Sequence, residues 1–267
     1  MSVITLTTDF GDTDEYVGVL KGVILGINPQ AQIVDITHKI DPQDLIQAAV
    51  VVQSAYPYFP PGTVHVVVVD PGVGGDRSVL AMELGGHTFL APNNGVLSRV
   101  METAQIEIII RVENREFFLQ PVSRTFQGRD IFAPVAAHLS TGLEIAKLGT
   151  RLDEHQIETL KIPKPEASDS GVLTGMIVSI DRFGNLITNI DFKYLNSFCK
   201  HDTKRIESRI GGYSIKGLSK NYAAIATSAP LALVGSRGYL EIAVNCGSAE
   251  VFLGVQKGDS IIITLSD

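Results

Sequence analysis

Tryptophan is absent and cysteine occurs only twice, as Cys199 and Cys246, in a chain of 267 residues. Two distant thiols without a CxxC pair exclude a disulfide framework and a zinc knuckle, and they suit a reducing compartment. Charge is also sparse. Asp, Glu, Lys and Arg together make 19% of the chain, the net charge is −7, and Lys and Arg form no run. The electrostatic footprint of a phosphate-backbone binder is therefore missing, and nucleic acid is excluded as an expected partner. No apolar run approaches the roughly 18 residues that cross a bilayer. Asp9, Asp12 and Asp14 interrupt the N-terminal stretch where a signal peptide needs unbroken apolar residues. The expectation is a soluble, cytoplasmic protein with no membrane partner. His38, His65, His87, His138, His155 and His201 show no pair at metal-ligand spacing, so neither a metal nor a cofactor is expected.

What is present is material for a core: 45% of residues are hydrophobic and the mean hydropathy is +0.19. A chain of this length exceeds the usual size of a single core, and two unequal domains are expected. Val3 to Thr8 reads as a strand, and Tyr16, Val19, Leu20, Val23 and Ile24 recur at helical spacing over Glu15 to Ile27. Ile33 to Ile36, Val64 to Val69, Val79 to Leu84 and Ile106 to Val112 read as further strands. Asp44 to Tyr56, Val96 to Met101 and Ile131 to Leu139 read as helices. Continuous apolar strands alternating with helices predict an α/β domain over residues 1–160, built on a mainly parallel sheet with helices on both faces. Residues 161–171 contain Pro163, Pro165, Ser168 and Ser170 without amphipathic period and read as a linker. Residues 172–267 change character. Short strands at Leu173 to Ile180, Leu186 to Ile190, Ala223 to Ala226, Leu231 to Val234, Tyr239 to Val244 and Ser260 to Leu265 predict an all-β domain, a small barrel.

In a parallel sheet, ligands collect beyond the carboxyl ends of the strands. Asp9 ends the first strand in Thr7-Thr8-Asp9-Phe10-Gly11, and Asp70 ends an apolar strand in Val69-Asp70-Pro71-Gly72-Val73-Gly74. Either one alone fits a turn aspartate as well as a site; the two together favour a site. Arg77 follows the Gly72 to Gly75 loop closely enough for a turn to bring it against Asp70, although on spacing alone an Arg on the next strand's surface is favoured by about two to one. That loop matches neither GxGxxG nor GxxxxGK[ST], so a phosphate cradle is a weak reading. Ser179 to Asn185 and Gly235 to Leu240 read, taken alone, as ordinary β-turns.

With those residues in view the chain resembles the S-adenosylmethionine hydroxide adenosyltransferases, relatives of the bacterial fluorinase and chlorinase. The resemblance runs through TTDFG (Thr7 to Gly11), VDITH (Val34 to His38), VVDPGVG (Val68 to Gly74) and APNNG (Ala91 to Gly95). It continues through TFQGRDIFAPVAAHL (Thr125 to Leu139), IDRFGNLITNI (Ile180 to Ile190) and SRGYLEIAVN (Ser236 to Asn245). It implies an α/β domain, a linker and a β-barrel domain. It also implies a homotrimer whose sites lie between one subunit's first domain and the next subunit's second, and S-adenosylmethionine as the small-molecule substrate.

By the same resemblance, Asp9 accepts both ribose hydroxyls, Phe183 and Tyr222 flank adenine, Asn185 reads its edge, and backbone near Cys246 assists. Asp14 and Asp181 meet the methionine ammonium, Ser236 and Arg237 its carboxylate, and Phe126 and Gly128 wall the reacting carbon. The reaction implied is displacement by water at the ribose 5′ carbon, giving adenosine and methionine. An Asp, Arg and His triad carries it in the family. Asp70 and Arg77 match two members, but Gln127 stands where the family motif reads His-Gly-Arg-Asp. Glutamine donates and accepts hydrogen bonds but exchanges no proton near neutral pH. Three readings follow: a hydrolase in which Gln127 orients the water, a protein that binds the ligand without turnover, and a halide-using transferase. The last is disfavoured because the Asp70 carboxylate repels an anion beside the reacting carbon.

Overall fold

In the computed structural model, which describes residues 3–266, the chain divides into two compact units, Met1–Lys161 and Ile162–Asp267. Residues 1, 2 and 267, at the outer ends of the expected domains, lie outside the described residues.

The first unit is a seven-stranded sheet with helices on both faces. Its strands are β1 (Val3–Thr8), β2 (Gln32–Thr37), β3 (Val64–Val68), β4 (Val79–Leu84), β5 (His87–Pro92), β6 (Ile106–Val112) and β7 (Gly149–Arg151), in the spatial order β2-β1-β3-β5-β4-β6-β7. The β-strand period sorts β3 and the residue after it into two cores. Val64, Val66 and Val68 pack on one face with Leu20, Ile24 and Phe132, while Val67 and Val69 pack on the other with Ala48, Val52 and Phe89. Helices α1 (Tyr16–Ile27) and α4 (Ala133–Ser140) cover the first face; α2 (Leu45–Ala55) and α3 (Ser98–Met101) cover the second. Phe89 and Phe132 are fully buried, and truncating either to alanine costs about 3–5 kcal/mol by the usual cavity penalty. Helix α2 starts where it does because the Asp44 carboxylate accepts the Gln47 N–H at 2.9 Å, a side-chain cap worth about 1 kcal/mol.

The expectation of a mainly parallel sheet needs correction. Pairs β1–β2, β1–β3 and β3–β5 are parallel, whereas β4–β5, β4–β6 and β6–β7 are antiparallel, so the sheet is mixed. The cause is β5, which the apolar pattern had not separated from its surroundings. Gly85 and Gly86 both adopt positive φ, 58° and 76°, and turn β4 back on itself as a two-residue hairpin, which forces antiparallel pairing.

The helix read over Ile131 to Leu139 is also more particular than its period suggests. It opens with a wide π-type turn, Gly128–Phe132, in which the Ala133 N–H reaches back to the Gly128 carbonyl. Pro134 has no N–H to offer the Asp130 carbonyl, and Leu119 N–H supplies that bond at 2.9 Å.

The second unit is an antiparallel sheet in the order β12-β11-β15-β9-β10-β14-β13, curled into a nearly closed barrel. Its strands are β8 (Glu166–Ala167), β9 (Leu173–Ile180), β10 (Leu186–Asp191), β11 (Ile206–Ile210), β12 (Tyr213–Lys216), β13 (Pro230–Val234), β14 (Tyr239–Val244) and β15 (Ser260–Leu265). Two short helices, α5 (Phe192–Phe198) and α6 (Ala249–Leu253), complete it. The short β8 pairs with β9 inside the stretch read as a linker. Where β12 gives out, the Ser219 N–H bonds the Ala232 carbonyl of β13 at 2.7 Å and draws the two ends of the sheet together. Leu186, Ile190, Leu240 and Ile242 point inward, so Ile187 and Glu241, which pair across β10 and β14, face outward.

Ala223 to Ala226 is not a strand. Tyr222–Ala224 forms a short 3₁₀ turn, and Ile225 lies on Leu231, Leu233 and Ala243 while its carbonyl accepts the Asn245 side-chain amide at 2.7 Å. The alternation read there reflects a strap pinned to the outside of the barrel.

Candidate functional site

Each unit carries one cavity built largely from residues singled out by sequence. In the first unit Asp9, Asp70, Phe126, Gln127 and Gly128 line a cavity of about 360 Å³ together with Phe10, Tyr16, Gln43 and Thr125. Phe10, Tyr16 and Phe126 form one aromatic cluster, with ring centroids 5.0 to 6.1 Å apart. Asp9 sits just past β1, where its Oδ2 accepts the Gln43 N–H at 2.9 Å and its Oδ1 retains acceptor capacity. Asp14 is exposed on the turn before α1 and does not line this cavity.

Behind the cavity the sequence brings Arg77 onto Asp70. Gly74 makes this possible: its φ of +77° favours glycine, and a Cβ there would stand 2.1 Å from the Arg124 carbonyl oxygen. The loop thus doubles back tightly enough for Arg77 Nε to reach both Asp70 oxygens, at 3.0 and 2.9 Å, and for Nη2 to bond Oδ2 as well. The same Nη2 donates to Gln127 Oε1. Asp70 and Arg77 side chains are only 4% and 12% exposed, so the pair is shielded from the screening that makes surface pairs weak. Asn94, from the APNNG segment, donates its amide to the Val69 carbonyl at 3.0 Å and holds the strand end that presents Asp70.

Gln127 owes its place to its neighbours. Arg129 clamps the fully buried Asp130 through Nε and Nη2 at 2.6 and 3.0 Å, and Asp130 also accepts the Ser123 N–H at 2.7 Å. The π-type turn is thereby tied to the segment before it, and Gln127 at its start is aimed at Arg77. His138 lies elsewhere, against Phe117 with centroids 5.3 Å apart, and takes no part in this network.

In the second unit Asp181, Phe183, Asn185, Tyr222, Ser236, Arg237 and Cys246 all line one cavity of about 660 Å³. Asp181 organises its own turn: its carboxylate accepts the N–H groups of Phe183 and Asn185 at 2.8 and 3.0 Å and the Asn185 side-chain amide at 2.9 Å. This turn leaves Phe183 76% exposed, a large ring held out from the barrel. Gly184 is required twice over, by a φ of +79° and because a Cβ would lie 2.0 Å from Ser248 Oγ. Across the cavity the Tyr222 hydroxyl donates to Glu241 Oε1 at 2.6 Å, and one terminal nitrogen of Arg237, Nη1, is buried without a partner.

Glu241 is the residue that sequence reasoning did not assign. It is buried on the outer face of β14. Burial pushes its carboxyl above the ordinary carboxylate range, reinforced by the charge of Asp181 and opposed by Tyr222 and Arg237. The Tyr222 phenol is pushed up as well, by burial first and then by Glu241. The signal was present: Tyr239 to Val244 reads apolar except for one acidic residue, and an acid amid strand residues asks for a partner.

Among the described residues no three His, Cys, Asp or Glu side chains gather as metal ligands, and no helix is long and apolar enough to cross a membrane.

Residues 4–149 match the family model for the SAM hydroxide adenosyltransferase N-terminal domain, and residues 175–262 match that for the C-terminal domain. The chain is 34% identical to the (R)-S-adenosyl-L-methionine hydrolase of Thermus thermophilus over 97% of its own length and 98% of the relative's. It is 36% identical to the protein of the same name from Methanocaldococcus jannaschii, over 98% and 96% of the two chains. A solved structure described as an uncharacterized conserved protein from Thermotoga maritima superposes with a TM-score of 0.90 at 40% identity, covering 99% of this chain and all of the other. With both cavities assembled from the motif residues and both halves matched in order, the chain belongs to the SAM hydroxide adenosyltransferase family.

Proposed function

We propose that this enzyme hydrolyses S-adenosyl-L-methionine: water attacks the ribose 5′ carbon, the carbon–sulfur bond breaks, and adenosine, methionine and one proton result. The observation that carries this reading is the buried Asp70–Arg77–Gln127 network beside the first cavity. The leaving group is a neutral thioether expelled from a sulfonium, so the protein has little to do for departure and must instead hold the water. Asp70 Oδ1 accepts only the Arg77 Nε–H and retains lone-pair capacity for a water hydrogen. Gln127 spends its carbonyl oxygen on Arg77 and offers its amide N–H groups as donors that orient the water oxygen. The proton leaves to solvent as the new carbon–oxygen bond forms. Neither a metal nor a cofactor is required.

Asp9 is assigned to the ribose hydroxyls and Phe126 and Gly128 to the wall by the 5′ carbon. Phe183 and Tyr222 take the adenine faces, Asn185 and backbone near Cys246 its edge. Arg237 and Ser236 receive the methionine carboxylate, Asp181 and Asp14 its ammonium. The site is proposed to be completed between neighbouring copies of a cytoplasmic homotrimer, a reading supported by the division of the binding groups between two separate cavities. The relatives' names point to the (R) configuration at sulfur.

The test is incubation of each sulfur epimer of S-adenosylmethionine with pure protein, with adenosine and methionine quantified over time, in the presence and absence of chloride. Equimolar adenosine and methionine, insensitive to chloride, support hydrolysis. Tight adenosine binding without product makes the chain a binding protein, and a chlorinated nucleoside makes it a halide transferase.

A further inference from the structure

Glu241 joins two pieces of the second cavity that no strand holds. One is the Tyr222 turn, which lies outside the sheet; Tyr222 is 41% exposed, and its hydroxyl bonds Glu241 Oε1 at 2.6 Å. The other is the turn at Gly235. A Cβ built on Gly235 would lie 2.3 Å from Glu241 Oε2, so the second carboxylate oxygen occupies the space that glycine leaves open. The next residues of that turn are Ser236 and Arg237, and Arg237 keeps a buried Nη1 without a partner. A buried carboxylate needs a partner to be tolerated at all, and here it is the hydroxyl of a ring that lines the cavity.

We propose that Glu241 is a positioning residue, which through its two oxygens fixes the Tyr222 ring and the Gly235–Arg237 turn in the orientation that receives the nucleoside and the amino-acid carboxylate. It lines the second cavity, apart from the Asp70–Arg77–Gln127 network assigned to the water, so its influence falls on binding and not on the chemical step. Without it, Tyr222 is a flexible ring on a short turn and must be ordered by the ligand itself, which weakens binding by the cost of that ordering. Glutamine at this position retains an acceptor for the tyrosine hydroxyl; alanine does not. Gly235 provides an independent handle, because its backbone is not in the left-handed region and the three nearest atoms an added Cβ would meet belong to Glu241. Gly235→Ala thus displaces the carboxylate without removing it.

The inference rests on the proposed nucleoside-binding role of this cavity, and calorimetry of adenosine with the unaltered protein tests that role first. If the unaltered protein binds no adenosine, the role of the cavity fails and the positioning inference falls with it. If it binds, Glu241→Ala is expected to weaken adenosine about tenfold, the equivalent of one lost hydrogen bond at the upper end of the neutral range. Tyr222→Phe, which deletes only the hydroxyl, should match most of that loss, and Glu241→Gln should recover most of it. Gly235→Ala should weaken binding in the native background and do nothing further in Glu241→Ala. In turnover the change should fall on KM more than on kcat. Binding by Glu241→Ala equal to that of the unaltered protein, or losses from Gly235→Ala and Glu241→Ala that simply add, overturns the inference. So does a fall in kcat with KM unmoved. A Glu241→Ala protein that melts early leaves Tyr222→Phe, on an exposed turn, to decide: an unchanged adenosine affinity there also overturns it.

Discussion

Two arginines stand beside the two cavities, and they are left in opposite states. Arg77 is clamped through two of its nitrogens: Asp70 takes its Nε and Nη2, and Gln127 takes Nη2 again. Arg237 ends in a buried nitrogen with no partner. A cation clamped through two nitrogens is rigid and holds its carboxylate in one geometry, which is what a group that aims a water must do. A cation with an open donor invites an anion from outside, since charge-assisted bonds to a carboxylate are among the stronger ones available. Under the proposed reaction, the first unit holds reacting atoms in place and the second receives the ligand.

The largest expected effect tests that division directly. Asp70→Asn should lower turnover about 10²- to 10⁴-fold, the range for loss of a positioned acid–base group, while adenosine affinity stays within a factor of two. Steady-state kinetics beside calorimetry measures both, and equal losses in the two would erase the contrast between the units. Asp9→Ala sharpens it from the other side. Although Asp9 lies in the first cavity, it is assigned to binding, so adenosine affinity should fall by about 1.5–3 kcal/mol, the range for hydrogen bonds to a charged partner. An unchanged dissociation constant would remove Asp9 from the site.

Gln127→His comes next. A neutral histidine has one acceptor nitrogen, which can take a proton from water in place of accepting from Arg77, so turnover should rise about tenfold, below the full range for a general base because Asp70 already holds the water. The pH profile should gain a step near 6.5, with activity rising as pH rises through it, because only the neutral imidazole accepts a proton. If the parent protein shows the same step, position 127 is not its source.

The smallest effect concerns stability and separates the units again. His65 is buried between Thr5 Oγ1, 2.8 Å from Nδ1, and His87, 3.2 Å from Nε2. Burial, then the neighbouring His87, lowers its pKa to about 3. The unfolded chain takes up this proton below about 6.5 while the folded unit refuses it down to about 3, so stability is full above 6.5 and declines as pH falls through that window. Among the described residues the second unit buries no histidine, His201 being exposed. Acid titration followed by hydrogen-exchange mass spectrometry should show residues 3–161 losing protection before 162–266, and His65→Gln should narrow the gap.

Much of this architecture was legible because it follows from one-dimensional patterns. The apolar runs of β1, β3 and β9 and the helical period of α1 and α2 emerged at nearly their observed bounds. What escaped depends on two-residue or non-local cues. The Gly85-Gly86 turn created β5 and with it the antiparallel half of the sheet, while Glu207 and Arg209, alternating with buried residues, disguised β11. The site residues came from motif order, and the structure gathers all but Asp14 around two cavities. Glu241 escaped because its meaning depends on Tyr222 and Gly235, which only folding brings to it.

The close fit of Gly184 against Ser248 ties the Phe183 turn to a helix that no ligand group is assigned to touch. Ser248 caps α6 by accepting the Val251 N–H at 3.2 Å, and the Gly184 carbonyl accepts the Glu250 N–H at 3.0 Å. The shared hydrogen bond and close packing couple turn and helix, so their amides should report on each other. Stiffening of the turn by bound adenosine should slow deuterium uptake at Glu250 and Val251, giving α6 the role of a remote gauge of occupancy in a protein that has no tryptophan to fluoresce.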